Sequence, residues 1–112
     1  MEASKTIQQF AASPARAFGP ERIVLFGSHA NGTAGPDSDV DLFVEMEVEG
    51  STAMKALDIR RAIPHSFPLD LVVRTPQDTQ RRLAENDFFV KSILQDGKTL
   101  YEKHRSRVAG QG

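Results

Sequence analysis

Three carboxylates carry most of the chemical potential of this sequence. Asp39 and Asp41 stand two apart, and Asp70 sits inside the apolar run Leu69-Asp-Leu-Val-Val-Arg74. Residues two apart on a strand share one face. If Asp70 meets them there, three negative charges converge, and without a cation at least one carboxyl pKa must rise. A hard divalent cation resolves the conflict, because carboxylate oxygens are its preferred ligands. His29, His65 and His104 are too scattered for a zinc pattern and there is no Cys, so magnesium is the expected metal, with manganese as its substitute. Two such ions near each other suit in-line phosphoryl or nucleotidyl transfer, one activating the attacking oxygen and one the leaving group.

The segment Gly27-Ser-His-Ala-Asn-Gly-Thr-Ala-Gly35 fits the other half of that reaction. Its glycines let the backbone approach phosphate oxygens, and Ser28 has a hydroxyl to donate. A short helix starting near Ser28 would aim free N–H groups at a triphosphate. Neither a Gly-Lys-Ser/Thr nor a Gly-x-Gly-x-x-Gly pattern occurs, so both common nucleotide-loop motifs are excluded. By itself such a loop is a weak signal.

The elements that must position these residues are legible in outline. The first 18 residues read as a helix with Ile7, Phe10, Ala11 and Phe18 as its stripe, ended or kinked at Pro14. After Gly19-Pro20, Arg22 to Phe26 reads as a buried strand. From Asp39 to Glu49 the alternation is nearly strict, which predicts a strand with one packed and one wet face. Ser51 caps a helix over 52–63, Leu69 to Arg74 forms a third strand, and Thr75-Pro76 opens a helical stretch with a break near Asn86. Gly97 stops it, and Lys98 to Glu102 is a last short strand. This order predicts an α/β fold, a small mixed β-sheet flanked by helices. An antiparallel return of the second strand and a helical crossover to a parallel third bring Gly27-Ser28, Asp39, Asp41 and Asp70 to one sheet edge.

Length and composition set the outer limits. The chain has 112 residues, enough for one domain. Residues 1–104 are expected to form it, with 105–112 a disordered tail that has little to bury. Fourteen Lys and Arg against fifteen Asp and Glu give a net charge of −1, so no global basic field favours nucleic acid. Residues 23–54 hold no Lys or Arg and six carboxylates, from Asp37 to Glu49. No apolar run is long enough for a membrane span, and the N-terminus lacks the pattern of a secretion signal, so the cytoplasm is the expected address.

Taken together, these residues resemble the minimal nucleotidyltransferases of the DNA polymerase β-like superfamily. The signature is Gly-Ser, ten residues, then Asp-x-Asp; here Gly27-Ser28 is followed by His29 to Ser38 and then Asp39-Val-Asp41. RIVLFGSHANG, DSDVDLFV, PLDLVV and ILQDGKTLYEK all read like family blocks, so the likeness spans roughly residues 20–104. The resemblance implies the polymerase β-like fold, with Asp39 and Asp41 ligating two magnesium ions and Asp70 helping to activate the acceptor hydroxyl. Gly27 and Ser28 would hold the β- and γ-phosphates of ATP. Many relatives carry Arg where this chain has His29 and Asn31. Free-standing members are often encoded beside a HEPN-domain ribonuclease toxin, so the implied activity is that of an antitoxin adenylylating a tyrosine of that toxin. A chain this short has little room to hold an acceptor of its own, which favours a partner protein. Two alternatives stand beside it: a catalytically silent antitoxin that acts by binding alone, and a transferase acting on a small molecule. Direct nucleic-acid binding is the weakest reading, because the site face is acidic and base-stacking residues are few.

Several residues also carry plainer readings. Asp70 has a structural alternative as an ion-pair partner of Arg74, and Ser28 as a helix cap. His29 reads as a surface residue, and Glu45, Glu47 and Glu49 as solvated charges. Arg60-Arg61 and Arg81-Arg82 read as exposed helix charges. Phe88-Phe89 is expected in the core.

Overall fold

The computed structural model describes residues 11–12, 17–35 and 37–103. Most of the expected N-terminal helix and the expected tail lie outside these residues. Where the first segment is described, Ala11 is buried and Phe18 packs against the same core.

Among the described residues the elements from Arg22 onward are, in order, β1 (Arg22–Phe26), α1 (Ser28–Asn31), β2 (Val40–Glu45), α2 (Thr52–Ala62), β3 (Leu69–Arg74), α3 (Pro76–Ala84), α4 (Phe88–Asp96) and β4 (Lys98–Glu102). The strands form one sheet in the order β3-β2-β1-β4. β1 runs antiparallel to both β2 and β4, and β2 runs parallel to β3. This is the small mixed sheet that the element order predicts.

Local chemistry explains the boundaries. The Ser51 hydroxyl accepts from Met54 N at 3.1 Å and starts α2. Thr75 does the same for α3 through Asp78 N, with Pro76 in the first helical turn where its missing N–H costs nothing. Between α3 and α4, Asn86 takes a left-handed φ of 62°, and Asp87 caps α4 by accepting from Val90 N. That left-handed residue is the break near Asn86.

The sheet is packed on both faces. Ile23, Leu25, Leu42, Val44 and Val73 point to one side, where Ile59 and Ile63 close the larger core. Val24, Phe43 and Val72 point to the other, against Ile93 of α4. This corrects the expectation of a wet face along the second strand: Phe43 is 0 % exposed and Glu45 5 %. The alternation itself holds, but Ile93 of α4 packs against Phe43 and Arg22 pairs with Glu45 on the face that the acids mark as solvated. The strand is also shorter than the alternation. Glu45 pairs with Arg22, the first residue of β1, and with Arg74, the last of β3. Both neighbours run out there: Met46 N still donates to the Arg74 carbonyl at 3.0 Å, and the ladder ends with that bond.

Gly97 follows α4 with φ −75°, so its role is spatial and not a left-handed cap. A Cβ there would lie 2.5 Å from both the Ile93 carbonyl oxygen and Val24 Cγ1. Helix and sheet approach too closely for any side chain.

Candidate functional site

The second face of the sheet is organised in three rows that cross the strands. Register places Arg22, Glu45 and Arg74 in one row, Val24, Phe43 and Val72 in the next, and Phe26, Asp41 and Asp70 in the third. The first row is ionic: Arg22 Nε donates to Glu45 Oε1 at 3.1 Å, which pairs the buried carboxylate. The middle row is apolar. The third row, at the opposite end of the face, holds the acids with no base among them.

Asp41 and Asp70 are direct partners on parallel strands, about 4.8 Å apart at the backbone, and their side chains rise from the same face. Asp39 lies on the approach to β2, one residue before the strand begins, and is exposed, as is Asp70. Burial pushes the Asp41 carboxyl above the usual carboxylate range, the charges of Asp70 and then Asp39 push it further, and His29 partly offsets them. The Asp41 carboxylate therefore feels both of the others. Among the described residues, however, no three acidic or imidazole side chains are gathered closely enough to enclose an ion.

Asp70 forms no ion pair among the described residues. Arg74 turns to Asp78 instead, at 3.6 Å, and donates from Nη1 to the Val73 carbonyl. The plainer reading of Asp70 as the partner of Arg74 is thus not what the chain does.

Gly27 ends β1 at the same row. Its φ of 77° and ψ of −155° lie where essentially only glycine is found. A Cβ there would fall onto Asp41 Oδ2 and lie 3.2 Å from Asp41 Cγ. The turn is glycine because a carboxylate occupies the space above it. Gly27 also takes the cap position of α1, with no side-chain cap, so Ser28 is the first helical residue and not the capping one. His29 bonds through Nε2 with the Ser38 carbonyl at 3.3 Å, tying α1 to the approach to Asp39 and Asp41. It is half-buried and close enough to Asp41 to act on its carboxyl, more than its reading as a surface residue implies.

The structure also shows a feature that sequence reasoning missed. A cleft of about 240 Å³ opens beside Gly27, between α1 and α4. Phe26 and Phe89 line it, their rings edge to face at 5.8 Å. The expectation that Phe88 and Phe89 are core residues is overturned: they are 82 % and 48 % exposed. Val90 and Ile93 are the buried residues of α4; the helical period turns Phe88 away from them, while Phe89, four residues before Ile93, lies at the margin of the inward face and lines the cleft with it. Adjacent helical positions point about 100° apart, so the two rings cannot share one direction, and that is the signal the sequence offers.

Comparison with known proteins fits this geometry. The model of the nucleotidyltransferase domain family matches residues 7–106, and the chain belongs to that family. A protein from Sulfolobus solfataricus described as a nucleotidyltransferase superimposes with a TM-score of 0.62 at 18 % identity, over 89 % of this chain and 80 % of that one. A chain from a crystal structure of a toxin–antitoxin with AMP-PNP superimposes with a TM-score of 0.52 at 20 % identity, over 88 % and 76 %. At these identities the likeness is one of fold. No curated protein matches the sequence. Among the described residues, no helix is long and apolar enough to cross a membrane.

Proposed function

We propose that the chain is a metal-dependent nucleotidyltransferase that moves AMP from ATP to a tyrosine hydroxyl of a HEPN-domain toxin in the cytoplasm, and is that toxin's antitoxin. The observation that supports this best is the pairing of Asp41 with Asp70 on adjacent parallel strands, hard against the glycine turn at Gly27. Family membership supports nucleotidyl transfer, and likeness to a chain from a toxin–antitoxin with AMP-PNP supports an ATP donor and a toxin acceptor.

The donor set suits a hard cation. Asp41 is destabilised as an anion, and neither Asp39 nor Asp70 has a basic partner among the described residues. Asp39, Asp41 and Asp70 would hold magnesium, as two ions, with manganese as a substitute. Bound there, the metal supplies positive charge to the phosphates and to the attacking oxygen. Gly27 and Ser28 take the β- and γ-phosphates. The acceptor oxygen attacks the α-phosphorus in line with the bond to the β-phosphate. That bond breaks, and pyrophosphate leaves with its electron pair. The hydroxyl proton passes to the Asp70 carboxylate and then to water. A tyrosine hydroxyl is mostly protonated at neutral pH, so a docked protein is well suited to hold it in line while the proton is removed. An added AMP carries negative charge into the toxin's own site and so disables it.

The test is the intact mass of the toxin after incubation with ATP, magnesium and either the wild type or Asp39→Ala. A mass gain of one AMP with the wild type alone supports the proposal. Equal neutralisation by both, with no adduct, leaves a binding antitoxin and removes the enzyme.

A further inference from the structure

We infer that the cleft between α1 and α4 holds the base of the donor nucleotide, a planar nitrogen heterocycle, with Phe89 as its stacking platform; this rests on the nucleotidyl-transfer reading above. Position is the first argument. Crossing the third row from the β3 edge, one meets Asp70, then Asp41, then Phe26, and the cleft begins at Phe26 and Gly27. An acceptor that loses its proton at Asp70 comes from the β3 side. The cleft therefore lies on the donor's side of the reacting centre, continuous with the turn assigned to the phosphates.

Its lining is the second argument. The Phe89 ring is held edge to face by Phe26 and remains 48 % exposed, which leaves an aromatic face available to a flat ligand. A base stacked there covers apolar surface on both partners. The rim carries Asn31, Ser92 and Asp96. Asp96 forms no ion pair among the described residues, and its carboxylate is an acceptor suited to an exocyclic amino group. The same charge repels phosphate, so the cleft suits the uncharged end of the nucleotide and not its tail. At about 240 Å³ it is below the roughly 300–1,000 Å³ of sites that take a whole drug-sized ligand, and a single ring system is the matching occupant.

The experiment titrates ATP and, separately, inorganic tripolyphosphate, both with magnesium, into the wild type, Phe89→Ala and Phe89→Tyr. Tripolyphosphate reads the phosphate turn without the base. The wild type is expected to bind ATP more tightly than tripolyphosphate. Phe89→Ala should weaken ATP roughly 5- to 150-fold, the range set by one lost base–aromatic stack, while leaving tripolyphosphate unchanged. Phe89→Tyr, which keeps the ring, should restore ATP binding. Equal losses for both ligands in Phe89→Ala, or no loss for ATP, overturn the inference and leave the phosphate turn standing. A wild type that binds tripolyphosphate as tightly as ATP does the same. A wild type that binds neither overturns the nucleotidyl-transfer reading, and this inference with it.

Discussion

Gly27 shows how much of the candidate site depends on what a residue lacks. Its backbone occupies a glycine-only region, and the space a Cβ would need is filled by the Asp41 carboxylate. Gly32 is a useful control, because it is also left-handed, at φ 83°, but a Cβ there meets nothing within 4 Å. Gly32→Ala is expected to cost about 1 kcal/mol from backbone strain alone. Gly27→Ala should cost more, roughly 1–3 kcal/mol from the backbone with the clash added, and should displace Asp41. Urea unfolding of the two variants checks this; equal losses would mean that the carboxylate yields freely. Asp41 gives the opposite sign. Its ionised form is disfavoured by burial, then by Asp70 and Asp39, so at neutral pH the folded chain carries an unrelieved repulsion. Asp41→Asn should therefore melt at a higher temperature than the wild type in metal-free buffer, while losing transfer. A lower melting temperature in EDTA would show that the carboxylate is satisfied in some other way.

At the scale of elements, the α3–α4 junction is where charge holds the fold. Burial opposes ionisation of Asp78, but hydrogen bonds from Arg82 and Arg81 more than offset it and hold the carboxyl below its usual range. Asp87 is lowered first by the Val90 N–H that it caps and then, against some burial, by Arg82. Arg82 bridges the two, with Nε 2.9 Å from Asp78 and Nη1 3.1 Å from Asp87. A depressed carboxyl pKa contributes stability that is complete above the unfolded value and lost as pH falls through the folded one. The wild type should thus lose stability on acidification below about pH 4, and Arg82→Gln should lose less over the same interval, because part of that contribution is already gone. Denaturation midpoints at pH 7 and pH 3 measure both. The capping chemistry here was readable from Thr75-Pro76 and the break near Asn86, because those signals are local. The length of β2 was not, since Glu45 ends it only because Arg22 and Arg74 end its neighbours.

Across the whole molecule, the acidic stretch of the sequence proves to be three different things. Asp39 and Asp41 belong to the candidate site, Glu45 is buried against Arg22, and Glu47 accepts from Gln77 Nε2 at 3.3 Å in solvent. A charge run does not say which of its members the fold will cover: Glu45 is paired by Arg22, which lies 23 residues earlier in the chain. Asp41 and Asp70 were easier to place. Their meeting needs only strand order and an alternating pattern, and both are written in Val40 to Val44 and Leu69 to Val73. The aromatic pair was harder, since composition cannot distinguish a core phenylalanine from an exposed one. Phe88, at 82 % exposure, should tolerate change: Phe88→Ser is expected within about 0.5 kcal/mol of the wild type. Ile93→Ala, five residues along the same helix and 2 % exposed at the start, should cost about 2–5 kcal/mol. Thermal unfolding of the pair locates the true inward face of α4.

The in-register pairing of β2 with β3 makes the spacing of Asp41 and Asp70 a stepped quantity. Sliding β3 by one residue would turn Asp70 to the opposite face and drag Leu69, Leu71 and Val73 out of the core. Sliding it by two would restore the faces but separate the carboxylates by about 6.6 Å more along the strand. No intermediate setting exists, so the pleat itself acts as the ruler, and the length of the connection does not. Adding one glycine between His65 and Ser66, in the loop that leads into β3, should leave the Asp41–Asp70 pairing and the melting temperature essentially unchanged, at a closure cost below about 0.6 kcal/mol. Phe67 packs against the core and the Pro68 carbonyl accepts from Val40 N at 2.8 Å, so the end of that loop is pinned to the sheet and the two acids keep their distance.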